Sequence, residues 1–158
     1  MKKIKLTNSN KFALVDDSLF EYFSQWPWHL STHGYAVRTQ YVNPEKSFAV
    51  YMHHHVVGHT KMTDHWDGDK LNNQFLNLRL TNMSQNKMNA GPHRDNTSGY
   101  KGVCWSKQHK KWLVQICANG KKMHGGIFKD KIEAAKKYDA MAREHHGVYA
   151  RLNFPEEK

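Results

Sequence analysis

The chain has 158 residues, room for one ordinary domain or two small ones. Its 24 Lys and Arg against 14 Asp and Glu leave a formal charge of +10, which points to a polyanionic partner, either nucleic acid or an anionic membrane surface. A hydrophobic share of 39% with 12% aromatics excludes wholesale disorder, and the two cysteines, Cys104 and Cys117, exclude a disulfide framework or a four-cysteine zinc site. No apolar run approaches the roughly 18 residues of a membrane-spanning helix. The basic start Met1-Lys2-Lys3-Ile4-Lys5 passes into Thr7, Asn8, Ser9 and Asn10 with no apolar core, so no secretory leader is expected and an intracellular protein is.

In chain order, Lys3 to Leu6 and Lys11 to Val15 read as short strands. Asp16 is placed to cap a short helix carrying Leu19, Phe20, Tyr22, Phe23 and Trp26, which Pro27 ends. Tyr35 to Tyr41 and Ser47 to Met52 read as strands around the turn Asn43-Pro44-Glu45-Lys46. Three consecutive histidines follow, His53 to His55, out of 12 in the chain. Next comes Thr63-Asp64-His65-Trp66-Asp67-Gly68-Asp69, then a short strand from Asn77 to Leu80 and a helix start near Thr81 that would carry Asn86. Residues 89–98, rich in turn formers, read as a linker. Charge divides unevenly about it: residues 1–87 hold 10 basic and 7 acidic side chains, residues 88–158 hold 14 and 7.

Beyond the linker, Tyr100 to Trp105, Trp112 to Cys117 and Lys121 to Phe128 read as three strands, with the hairpin signal Asn119-Gly120 joining the last two. Asp130 and Glu133 have capping-box spacing for a helix that lines Ile132, Ala135, Tyr138, Met141, Ala142 and His145 along one side and stops at Gly147. The fold class expected is α+β: domains over 1–88 and 99–154, the second a three-stranded antiparallel sheet with one packed helix.

A strand, a loop, a strand and a helix can fold so that Asp64 and Asn86 converge on one ion. A carboxylate and an amide carbonyl are hard oxygen donors suited to a divalent cation, which stabilises a phosphate and its leaving oxygen. A histidine beside a ligand, but not bound itself, stays free to deprotonate water. Read alone, Asp64-His65 is an ordinary loop pair.

These residues resemble the phage-type HNH homing endonucleases, with their ββα-metal (His-Me finger) core. The resemblance rests on Asp64-His65, Gly68, Asn72-Asn73, Asn77-Leu78-Arg79, Thr81 and Asn86. Upstream it takes in Ala13 to Asp17, Gly34 to Arg38 and Met52-His53. It implies Mg²⁺ or Mn²⁺ on Asp64 and Asn86, His65 as general base and Asn77 as the central asparagine that holds the finger and helps orient the base. Three positions depart from the pattern: Trp66 replaces the usual Ile or Val, Gln74 an Arg, and His54 an Arg. His53 is the best of the triplet for a phosphate contact, while Asn72 and Asn73 read as turn formers and Asp67 and Asp69 as loop caps.

Residues 96–154 resemble the plant ethylene-response-factor (AP-two) DNA-binding domain, also found fused to phage HNH nucleases. The matching residues include Ser98-Gly99-Tyr100-Lys101-Gly102-Val103, Lys111-Trp112, Gln115-Ile116, Gly126-Ile127-Phe128, Glu133-Ala134-Ala135 and Leu152-Asn153-Phe154. The resemblance implies that the sheet enters the major groove of double-stranded DNA, with contacts from Lys101, Gln115, Lys122 and His124. Trp105, Lys107 and Lys111 are the candidate backbone contacts. Leu113 and Cys117 stand where polar residues are common, which lowers the expected specificity. The function expected is a metal-dependent DNA endonuclease, nicking or cutting both strands, in the cytoplasm of a bacterial host if phage-encoded. The alternative is a DNA-binding or regulatory protein with a decayed nuclease core.

Overall fold

The computed structural model describes residues 1–58 and 62–155. Among these, ten short strands form four small antiparallel sheets alongside four α-helices, a mixed α+β structure. The chain divides into two compact units, Met1–Thr81 and Asn82–Lys158.

In the first unit, β1 (Lys2–Lys5) pairs antiparallel with β2 (Phe12–Val15), Ile4 opposite Ala13. Alternation sends Ile4, Ala13 and Val15 inward. They meet Leu6, Phe23, Trp28, Ala36, Met52 and Leu71 in one core. Phe23 comes from α1 (Phe20–Ser24), and the fully buried Trp28 finds a partner for its indole N–H in Phe23 O at 2.8 Å. Each large apolar side chain buried here contributes about 1.5–3 kcal/mol. A second sheet follows in the order β3 (His29–Leu30), β4 (Ala36–Asn43), β5 (Lys46–Tyr51), and runs directly into α2 (Met52–Val57). The last sheet of this unit is the pair β6 (Thr63–His65) and β7 (Leu78–Leu80).

Asp16 does not cap the following helix with its side chain. Its carboxylate instead accepts from Phe75 N at 2.7 Å and Gln74 Nε2 at 3.5 Å. A long-range tie to the loop before β7 has displaced the local cap that the sequence suggests. The same loop is stitched to β2 by Leu14 N to Leu71 O and Asn73 N to Leu14 O, both 2.8 Å.

The second unit starts with α3 (Met83–Asn89), whose N-terminus closes in a reciprocal capping box: Asn82 Oδ1 accepts from Gln85 N, and Gln85 Oε1 accepts from Asn82 N, both at 2.9 Å. Both α3 and residues 89–98, read above as the end of one domain and a linker, thus fall in this unit. The sheet runs β10 (Lys121–Phe128), β9 (Lys111–Ala118), β8 (Val103–Ser106). Asn119 and Gly120 both take positive φ, 51° and 72°, the backbone that a two-residue hairpin needs. The strand expected from Tyr100 begins only at Val103, because the chain first turns through Gly102. There φ is +74° and a Cβ would sit 1.9 Å from the Tyr138 ring.

Across the sheet lies α4 (Lys131–His146), capped by Asp130, which accepts from Ile132 N at 2.7 Å and Glu133 N at 2.9 Å. Its Ala134, Ala135, Tyr138 and Ala142 bury against Val103, Val114 and Ile116. The buried face is rotated from the one periodicity suggests: Ile132 is exposed, while Asp139 and His146 are buried. Both polar groups are partnered. Asp139 accepts from Asn153 N and Phe154 N at 2.8 Å, and His146 Nε2 lies 2.9 Å from Cys117 O. No described helix is long and apolar enough to cross a membrane.

Candidate active site

Strand β6 brings Asp64 and His65 side by side, opposite Arg79 and Leu78 of β7. Both are buried, at 7% and 4% exposure. Arg79 donates from Nε (3.0 Å) and Nη2 (2.8 Å) to Asp64 Oδ2, a charge-assisted contact that fixes the carboxylate.

The loop between the strands is closed by one amide. Asn77 Oδ1 accepts from Asp67 N at 3.1 Å; its Nδ2 donates to Asp67 Oδ1 at 3.0 Å and Asn72 O at 2.9 Å. Backbone bonds from Trp66 N to Asn77 O and Gly68 N to His65 O, both 2.9 Å, complete the closure. Asp67 also takes Asp69 N at 2.8 Å and Asn72 Nδ2 at 2.7 Å. Burial would raise its pKa, but the hydrogen bonds from Asn72, Asp69 N and Asn77 outweigh it and hold the carboxyl below its ordinary value.

His65 is also lowered from the ordinary histidine value. Burial pushes it down, and the Asn73 side chain together with the charges of Asp67, Asp64 and Asp69 pulls it part of the way back. Asn73 is fully buried and donates to Leu71 O at 2.9 Å, so it is more than a turn former. His53, in the first turn of α2, lies edge-on to His65 with ring centroids 5.3 Å apart. Tyr35 is 5.1 Å from His53 and 5.8 Å from His65, and Tyr51 is 5.5 Å from His53. His53 is 6% exposed, its Nδ1 has no hydrogen-bond partner among the described residues, and burial, then His54 and His65, push its pKa down to about 3. The neutral His53 ring, expected to contact phosphate, is buried and packs edge-on against His65. The Tyr35 phenol is raised by burial, the Asp64 charge and Tyr51.

In the second unit, cross-strand register sorts the candidate DNA contacts. Gln115 faces His124, Cys117 faces Lys122, Leu113 faces Cys104 and Lys111 faces Ser106. With Val114 and Ile116 turned toward α4, alternation puts Lys111, Leu113, Gln115, Cys117, Lys122 and His124 on the opposite, outer face. Trp105 pairs with Trp112 at 4.9 Å between centroids and so lies on the helix side, although 45% exposed. Lys107 is exposed in the turn between β8 and β9. Lys101 precedes the sheet, and its ammonium donates to Lys87 O at 3.2 Å and to Met88 O.

Over 89 residues this chain is 39% identical to Protein 3.8 of Escherichia phage T7, a match covering 56% of the chain and 73% of that protein. The chain belongs to the Protein 3.8 family. No family model matches it, and no solved structure does.

In this member of the Protein 3.8 family the two residues expected to hold a divalent ion offer a buried Asp64 carboxylate and a half-buried Asn86 amide on α3. Asp64 lies in the first unit and Asn86 in the second. Among the described residues no group of three or more His, Cys, Asp or Glu side chains could hold a metal. Sequence reasoning passed over Tyr35, Asn73 and Arg79 as partners of the site. All three stand within the stretches that carry the nuclease resemblance, and only the strand pairing shows which side chains meet. It also passed over the loop's apolar display: Trp66, Phe75 and Leu76 are 64%, 60% and 89% exposed.

Proposed function

We propose that this protein is a metal-dependent DNA endonuclease of the ββα-metal (His-Me finger) type, carrying a C-terminal β-sheet unit that reads double-stranded DNA. The observation that carries the reading is the buried His65 beside Asp64 on β6, with the following loop locked by three hydrogen bonds of Asn77. The next helix in the chain bears Asn86.

Burial keeps the His65 imidazole neutral at physiological pH, the state a general base needs. Asn73 and the Tyr35 and His53 rings hold it in place. Asn77 holds the loop that follows it. Asp64 and Asn86 would hold Mg²⁺ or Mn²⁺, an assignment that rests on their order in the chain and on their oxygen donors. When bound, the ion supplies Lewis-acid stabilisation of the phosphate and its leaving oxygen.

Lys111 and Lys122 grip DNA phosphate and set a salt-dependent affinity, while Gln115 can read an adenine edge. A phage-encoded relative accords with action in the host cytoplasm.

A second reading, a DNA-binding protein with an inactive core, draws on the ion pair that neutralises Asp64 with Arg79. Incubating supercoiled plasmid with the purified protein in Mg²⁺, Mn²⁺ or EDTA tests the two. Metal-dependent nicking is expected. Retarded but uncut plasmid under all three conditions would establish the second reading.

A further inference from the structure

Helix α3 spans only seven residues, too few to hold together unaided in water. Its N-terminus is capped internally, but Ala90 leaves with φ −58° and ψ 144°, and the Gly91 that follows is not left-handed. The terminal carbonyls are satisfied from elsewhere in the second unit. Lys101 Nζ donates to Lys87 O and Met88 O, and Arg151 N reaches Met88 O at 3.3 Å. An ammonium at this end also meets the negative pole of the helix.

Lys101 stands on a rigid base. Its N–H donates to Asn153 Oδ1 at 2.8 Å and its carbonyl accepts from Asn153 Nδ2 at 3.2 Å. Asn153 is in turn held by Asp139, which is 1% exposed on α4. The neighbouring Gly102 is pressed against the Tyr138 ring. A cavity of about 200 Å³ bounded by Ser84, Lys87 and Met88 of α3 on one side, and by Lys101, Gln115 and Tyr138 on the other, shows the helix lying over this part of the unit.

We propose that Lys101 is a positioning residue: its ammonium fastens α3, and with it Asn86, to the sheet and helix of the second unit, and it is not a phosphate contact. The consequence for Asn86 rests on the nuclease reading above; the fastening does not.

The test compares full-length wild type, Lys101→Met and Lys101→Arg by amide exchange over residues 83–90, by Mn²⁺ half-saturation of cleavage, and by duplex affinity at several salt concentrations. Loss of charge-assisted bonds should speed exchange at the C-terminal turn of α3 about tenfold or more in Lys101→Met. Half-saturating Mn²⁺ should rise several-fold, the affinity and its salt slope should hold, and Lys101→Arg should restore wild-type behaviour. Unchanged exchange, or a salt slope smaller by about one unit, would overturn the proposal. A wild type that cleaves nothing would remove the nuclease reading, and the exchange comparison would still decide the fastening.

Discussion

The proposed base His65 has to be neutral and held still, and burial by its neighbours favours both. The same burial has a thermodynamic consequence at His53. Its folded pKa of about 3 lies below the ordinary value near 6.5, so below pH 6.5 the unfolded chain takes up a proton that the folded one refuses. Stability is therefore undiminished above about pH 6.5 and falls as pH drops toward 3, by on the order of 2 kcal/mol at pH 5 from this group. Denaturant unfolding at pH 7 and pH 5 should show the loss, and His53→Gln should remove much of the difference. An equally steep decline in the variant would disprove the assignment. For the proposed ligand pair, Asp64→Ala should raise half-saturating Mn²⁺ more than Asn86→Ala, since only the former removes a charge. Equal half-saturation in wild type and both variants would contradict it.

The loop between β6 and β7 behaves as one element because Asn77 makes three hydrogen bonds inside it while 8% exposed. Asn77→Ala leaves those groups without their partner and should cost about 1–3 kcal/mol, with cleavage falling alongside. Thermal unfolding and a cleavage time course check both, and a fully stable, fully active Asn77→Ala would contradict this role. The elements that local signals define were legible in the sequence: β10 spans the residues expected, Asn119-Gly120 turns the hairpin, and Asp130 caps α4. What was not legible depends on distant partners. The Asp16 carboxylate is a good local cap and is claimed by Phe75 N, 59 residues away. The Ile132 face looked buried from its spacing, but α4 turns Asp139 inward to hold Asn153. In the candidate site, Asp64 and His65 are singled out by residue type, and Asn77 by the nuclease resemblance. The rings of Tyr35 and His53 could not be placed beside His65, since packing of separate strands and helices brings them there.

At the scale of the whole molecule, the division after Thr81 assigns α3 to the unit that carries the three-stranded sheet proposed to read DNA. A protein cut after residue 95 keeps the first unit's core but loses Lys101 and Arg151, the partners of α3's last carbonyls. It should unfold cooperatively yet show no metal-dependent cleavage; cleavage at the full-length rate would refute the link. On the outer sheet face, Lys111→Ala with Lys122→Ala should reduce the salt slope of duplex binding by about two units. The central claim, that His65 is the base of a metal-dependent nuclease, is tested most directly by following full-length wild type and His65→Ala on one labelled duplex. Binding and single-turnover cleavage are both measured in saturating Mn²⁺. Equal affinity with cleavage slower by about 10²–10⁴ is the result this account predicts; equal affinity with equal cleavage would contradict it.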